Sequence, residues 1–355
     1  MKSKSLLFGL LILFALPVFA QDADLSMIPY RKGDLWGYAT QDRNIIITPQ
    51  YAEAHFFYEG LAVVKKGNLY GYINKAGKVV IPFKFYTAKG FRFGYYDVSG
   101  NLKPGDGSIS AEKRVLFAGA SLKANGVEIC IDTKGQELRR CPAINEPNTV
   151  GAPTVTTVSN YSTIQKSDLF DKIVGDYKII AGADDTYYIA TRNNNYGVFN
   201  NKFEVVIPFE YTMIEKLNTG AMTYLQVEKG GMKGVLFGTG SPYLAVENTK
   251  LKHVQSADGN NYFIFTKDGK TGLRNSKYKN IVEAVYEDIA YDSVGLGFTL
   301  TGYSNLQGYI FPNNTILEPK YTSFRALKGG QYALVKTMSG KWGYVNNNLA
   351  EFFED

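Results

Sequence analysis

Residues 65–86 read KKGNLYGYINKAGKVVIPFKFY. A glycine sits between two aromatics at Tyr70-Gly71-Tyr72. A turn-forming Asn74-Lys75-Ala76-Gly77 follows, and then the apolar run Val79-Val80-Ile81 is closed by Pro82. Apolar runs flanking an Asn/Gly turn predict a pair of antiparallel strands. Pro82 has no N–H for a ladder, so it ends the second strand or lies on a sheet edge. A glycine inside a strand marks the close approach of another backbone.

The motif recurs. It appears as Trp36-Gly37-Tyr38, Tyr70-Gly71-Tyr72, Tyr196-Gly197-Val198, Lys233-Gly234-Val235, Thr271-Gly272-Leu273, Gln307-Gly308-Tyr309 and Trp342-Gly343-Tyr344, with Asn125-Gly126-Val127 as a weaker eighth copy. From Gly197 onward the steps are 37, 38, 36 and 35 residues, and Gly37 to Gly71 is 34. A period in this range is the mark of a repeat architecture. A second landmark keeps step: Tyr51, Phe85, Tyr211 and Tyr286 stand 14 residues after their glycines, and Tyr321 stands 13 after Gly308. The residue after the glycine is apolar in all eight copies, while the one before it ranges from Trp to Lys. These two share a strand face, which is therefore expected to be partly buried. The seven regular glycines are expected to be structural, because a packing need arises in every unit and a ligand contact does not. Each unit supplies three clear strands, with a fourth expected around the landmark aromatic.

The Trp-Gly-Tyr core, the Gly-Lys-Val-Val-Ile-Pro strand and the Glu-Gly-Leu-Ala-Val-Val strand (residues 59–64) together resemble the bacterial WG-repeat (KWG-repeat) proteins. The resemblance is close over about 30–89 and 193–345 and poor between. Trp36 and Trp342 keep the tryptophan that names the repeat; Tyr70 and Tyr196 replace it. The resemblance implies a tandem β-repeat protein and no particular reaction. The fold class expected is all-β, built of tandem repeats of antiparallel strands. A β-propeller-like arrangement is favoured by the strand count. An open, curved β-repeat array is the alternative, favoured by the uneven middle.

The rhythm breaks twice. An insertion is expected near 91–111. Residues 142–161 are rich in Pro, Thr, Val and Asn, which reads as a long loop or linker. The expected organisation is a signal peptide at 1–20, about three repeats over 22–141, a linker over 142–167 and about five repeats over 168–355. Lys2 and Lys4, the apolar run 6–16 and the ending Val18-Phe19-Ala20 make a secretory signal, with no Cys after it to mark a lipoprotein. No later stretch has the length of a membrane span. Without Lys2 and Lys4 the formal charge falls from +6 to +4 and carries no basic run, so nucleic acid is not an expected partner.

Composition agrees with strands and turns: the 355 residues include 26 Tyr, 22 Phe and 36 Gly. The two histidines, His55 and His253, have no motif partners for a metal. No nucleophile motif is present. Gly238-Thr239-Gly240-Ser241 reads as a turn and not a phosphate loop, and Asp184-Asp185 and Asp258-Gly259-Asn260 lack the spacing of calcium ligands. No catalytic residue, metal or cofactor is expected. Cys130 and Cys141 flank the turn 132–135, and in an exported protein they are expected to form a disulfide. A strict hairpin about Lys134-Gly135 sets residue 139 opposite Cys130, so a bulge or longer loop is needed. Phe91, Phe93, Tyr95 and Tyr96 fall in the irregular insertion and are the candidates for an exposed aromatic patch, packing being the alternative.

These features point to an exported, non-enzymatic protein that presents a repeat surface to another protein of the cell envelope. The location is the periplasm, the outer membrane or the outside of a bacterium. A glycan-binding module is the alternative, and a carbohydrate-active enzyme on a propeller-like scaffold comes third. Non-reducing mass spectrometry of the exported protein tests two of these expectations. The mature chain should begin at Gln21, and the Cys130 and Cys141 peptides should be found linked. A chain that keeps Met1, or two free thiols, contradicts the respective reading.

Overall fold

The computed structural model describes residues 24–105, 113–138, 169–180, 183–217, 219, 222–257, 259–277 and 280–355. The expected signal peptide, the linker 142–167 and Cys141 lie outside the described residues. The described chain is β-strand throughout, with one short 3₁₀ turn at Tyr303–Asn305. It divides into two units. One holds the residues up to 138 together with Glu354 and Asp355; the other holds the rest up to Phe353.

The strands form antiparallel meanders, most of them four-stranded like propeller blades. The sheet that contains the opening stretch runs Glu53–Tyr58, Leu61–Lys66, Leu69–Asn74 and Val79–Phe85 in spatial as in chain order. The expected fourth strand therefore begins just after the landmark aromatic, which is itself the last residue of the preceding sheet. Three sheets lie in the first unit and five in the second.

The glycine is explained by its partner strand. Tyr70 pairs with Phe85 and Tyr72 with Ile81, so Gly71 alone faces Pro82, Phe83 and Lys84. The fourth strand carries two extra residues and bulges over the glycine. A Cβ on Gly71 would meet the Ile81 carbonyl oxygen at 2.8 Å and the Phe83 nitrogen at 3.1 Å. The same register step recurs at Gly37, Gly197, Gly234, Gly272 and Gly308. At Gly343 the ring of Phe353 takes the covering place. Pro82 does not end its strand: it sits in the bulge on the outermost strand, where no ladder partner needs its N–H. Pro208 stands at the same place, and Pro49 and Pro319 lie one residue further on, still within the bulge.

With the glycine pinned, the next side chain is driven inward. Tyr38, Tyr72, Val198, Val235, Leu273 and Tyr309 are fully buried. The cores lie between consecutive sheets. Leu61, Tyr72 and Phe85 pack against Phe91, Ala118 and Ile131 of the following sheet. The Tyr38 hydroxyl donates to the His55 carbonyl at 2.8 Å, and the Tyr72 hydroxyl to the Lys89 carbonyl at 2.9 Å. Both bonds span 17 residues and reach the first strand of the next sheet. In this unit the turn after the third strand is closed by an Asx contact, Asn74 Oδ1 accepting from the amides of Ala76 and Lys78 at 3.1 and 3.0 Å, and Asn200 and Asn346 do the same.

This turn corrects the eighth copy. Asp132 makes the same closure with Lys134 and Gln136, which aligns Ile129-Cys130-Ile131 with Gly71-Tyr72-Ile73. Asn125-Gly126-Val127 is instead a surface turn, and Val127 is 87% exposed. Ile129 stands at the glycine position, and the described part of the following segment meets this strand through the Ile131–Glu137 bridge and the Leu138 amide on the Cys130 carbonyl. The insertion is a hairpin, Arg92–Tyr96 with Leu102–Pro104, placed between the first and second strands of this sheet.

The first sheet has an unusual fourth member. Ile28–Lys32, Leu35–Ala39 and Ile45–Tyr51 are joined by Phe353–Glu354. The Gly33 amide donates to the Glu354 carbonyl at 2.9 Å, and buried Arg31 pairs with Asp355 at 2.6 Å.

Side chains placed under the bulges should destabilise. Gly197→Val would bring a Cβ within 2.7 Å of the Phe209 ring and 2.9 Å of the Ile207 carbonyl. The expected loss is about 1–3 kcal/mol, against less than about 0.5 kcal/mol for Lys233→Ser. Denaturant titration of the two variants checks this.

Candidate interaction surface

The fourth strand is the free edge of each regular sheet. Alternation along it buries one side and exposes the other. Ile47, Ile81 and Ile207 face the core, while Ile45 and Ile46, Val79 and Val80, and Val205 stand 40–55% exposed. These exposed residues hold one repeat position, eight or nine residues after the glycine. The first two sheets thus offer aliphatic side chains at equivalent places, and Val205 holds the same place in the second unit. The bulge and its proline, a few residues on, prevent an incoming strand from pairing along the whole edge.

A polar cluster borders this surface in the 53–85 sheet. Glu53 accepts from Lys65 Nζ and from the Tyr70 hydroxyl, both at 2.7 Å. Burial alone would raise the Glu53 carboxyl, but these two donors and the Lys65 charge outweigh it and hold the group below its usual range. Burial, and then the bond to Glu53, push the Tyr70 phenol up. Tyr286 and Tyr321 make the corresponding contacts with Glu318 and Glu351, at 2.9 and 2.7 Å, each tying one sheet to the next. Tyr30 bonds Glu354, and burial with that bond pushes its phenol up to about 12.

The residues singled out in the sequence fall as follows. Gly37, Gly71, Gly197, Gly234, Gly272 and Gly308 lie beneath bulges and Gly343 beneath Phe353, all away from the exposed edge. Phe91 is not part of an exposed patch. It is 1% exposed and packs on Tyr72 with ring centroids 5.0 Å apart. It stands one 34-residue period after Phe57, which packs on Tyr38 at 4.8 Å, and that spacing was the available signal. Arg114 lies over the Phe93 ring at 5.1 Å, and Tyr95 is half-buried. Of the four aromatics, Tyr96 alone is exposed, at 48%.

Cys130 is buried on the strand Ile129–Ile131. Its carbonyl accepts from the Leu138 amide at 2.7 Å, so residue 138, not 139, stands opposite it. His55 lies on a strand and not in a loop, and burial lowers its imidazole. His253 Nε2 contacts Asn261 Oδ1 at 2.9 Å. Among the described residues no group of His, Cys, Asp and Glu could hold a metal ion, and no helix is long and apolar enough to cross a membrane. Gly240 closes a turn by its amide bond to Phe237.

Asn248 was missed. It occupies the landmark position of the Gly234 unit, where other units have an aromatic. It is 1% exposed and donates to the Lys233 and Ala245 carbonyls at 3.1 and 2.8 Å. Its distance of 14 residues from Gly234 was readable, but its residue type hid it.

Sheets of this kind, repeated at this period, define a tandem β-repeat protein whose accessible feature is a surface. The sequence profile of the family described as "WG containing repeat" matches residues 36–70, 70–101 and 196–232. At these residues the chain carries WG-type repeats. Among curated proteins no sequence matches it. Among solved structures it is similar to the Dos1 propeller, at 10% identity over 91% of this chain and 76% of that one, TM-score 0.26. It is also similar to the C-terminal WD40 domain of Sif2, at 13% identity over 84% of each chain, TM-score 0.22. A third is PorZ, a surface component of the type-IX secretion system of Porphyromonas gingivalis, at 9% identity over 92% of this chain and 56% of that one, TM-score 0.19.

The Glu53 cluster sets an acid dependence. A carboxyl held below its unfolded value stabilises the fold above that value, and the contribution is lost as pH falls through the folded value. Glu53 is partly exposed, so the share is small, about 0.5 kcal/mol. Glu53→Gln should lower stability by this amount at pH 7 and leave it unchanged near pH 2. Thermal unfolding of both proteins across this range reads the difference.

Proposed function

We propose that this is an exported, non-enzymatic repeat protein that docks another protein of the bacterial cell envelope on the exposed edges of its sheets. One observation carries the reading: Ile45 and Ile46, and Val79 and Val80, stand exposed at the same repeat positions on the first two sheets, and Val205 repeats the position in the second unit. Exposed apolar side chains at a shared position form a surface suited to a protein partner. Export rests on the basic head, apolar run and Val-Phe-Ala ending of residues 1–20. The periplasm, the outer membrane and the cell exterior all fit that signal. A Cys130–Cys141 disulfide fits the same address: Cys130 is buried, and Cys141 is the chain's one other cysteine. Glycan binding on the insertion aromatics has less support, since Phe91 is core.

A photo-reactive amino acid placed at Ile46 or Val80 in the native host tests the reading. Both positions should cross-link one and the same envelope protein, and a probe at exposed Val98 in the insertion should not. Folded, exported protein that cross-links nothing from either edge position would overturn it.

A further inference from the structure

One repeat breaks the chain's own interior rule. The residue two after the glycine is Ala39, Ile73, Phe199, Leu236, Ile310 and Val345 in six units, each 3% exposed or less. In the Gly272 unit it is Arg274. A cation where every other unit has a core aliphatic or aromatic is a local conflict, and such conflicts mark functional positions.

The surroundings leave the cation unanswered. Arg274 Nη1 donates to the Tyr243 carbonyl at 2.6 Å, and the guanidinium lies over the Tyr243 ring at 5.0 Å. Its Nε is buried and has no acceptor among the described residues. No ion pair among the described residues includes it. The carbonyls next in the chain, which would repel an anion, are already capped. Tyr243 donates its hydroxyl to Asn275 O, and Tyr224 donates to Ser276 O at 2.9 Å. Across the sheet, Arg274 is paired with Phe263, and Phe263 with His253. Aromatic faces converge here, and among the described residues no carboxylate pairs with the guanidinium.

We propose that Arg274 anchors a binding site for a carboxylate, held end-on by the guanidinium between the 213–248 and 250–286 sheets. A carboxylate matches the outer end of the planar fork, Nη2 with the second hydrogen of Nη1, which Tyr243 leaves open while Nε stays sealed behind it. The residue is only partly buried, so the ligand reaches the guanidinium from solvent. The carboxylate comes from a small organic acid or from an acidic side chain of a partner. This site is separate from the edge surface and stands or falls without it.

The test is thermal unfolding of the full mature chain and of Arg274→Leu and Arg274→Lys, with acetate, malonate or a glutamate-rich peptide against chloride at equal ionic strength. The leucine variant restores the repeat's own residue type and should fold. Wild type should gain a saturable rise in Tm of several degrees in carboxylate. Arg274→Leu should show none, and Arg274→Lys, which lacks the planar fork, should bind at least tenfold more weakly. A response at lower concentration to the peptide than to the free acids assigns the site to a partner side chain; the reverse assigns it to a small acid. Equal responses in wild type and Arg274→Leu, or none in wild type to any of the three, would overturn the site.

Discussion

The structure depends on a crossing that only a hydrogen atom permits. In each regular sheet the fourth strand carries two extra residues, and its backbone swings across the third strand at the glycine. Any Cβ there would meet a carbonyl oxygen, an amide nitrogen or a ring. Other features follow from this crossing. The bulge has no use for an amide donor, so proline is accommodated. The side chain after the glycine is fixed toward the neighbouring sheet, where Tyr38 and Tyr72 find a carbonyl to bond.

Much of this was legible because the crossing recurs. Gly and the landmark aromatic stay in step, so the period and the strand order emerge from spacing alone. Legibility failed where chemistry changed and geometry did not. Ile129-Cys130-Ile131 holds the repeat position without the glycine, and the nearby Gly126 drew the alignment three residues away from it. Asn248 replaced an aromatic by satisfying two carbonyls, a solution that hydrophobic patterning does not register. Phe91 looked free because the insertion begins beside it, yet it repeats Phe57. The candidate surface was less legible than the fold. Val79 and Val80 have the same β-branched character as buried Ile81, and only the sheet's edge position separates them.

Edge and bulge together shape what kind of recognition these sheets allow. An unpaired strand normally invites another strand to add to it by backbone hydrogen bonds. Here the bulge breaks the register within a few residues, and proline removes a donor. The side chains remain outward all the same. Recognition at such an edge passes through side-chain shape, which can differ from repeat to repeat while the backbone stays the same.

The strand Phe353–Glu354 gives the chain an order of assembly. Glu354 meets Tyr30 across 324 residues of sequence. The strand Ile28–Lys32 leaves the ribosome long before its outer neighbour Phe353–Glu354 has been made. Closing so long a loop costs little more than closing a moderate one, because the entropy grows only with the logarithm of length. The delay is a matter of time more than of free energy. Until residues 353–355 arrive, the first sheet carries an open edge and Arg31 lacks the carboxylate it is buried against. The nascent chain must be kept from strangers for that interval, so the sheet that is made first is the one completed last.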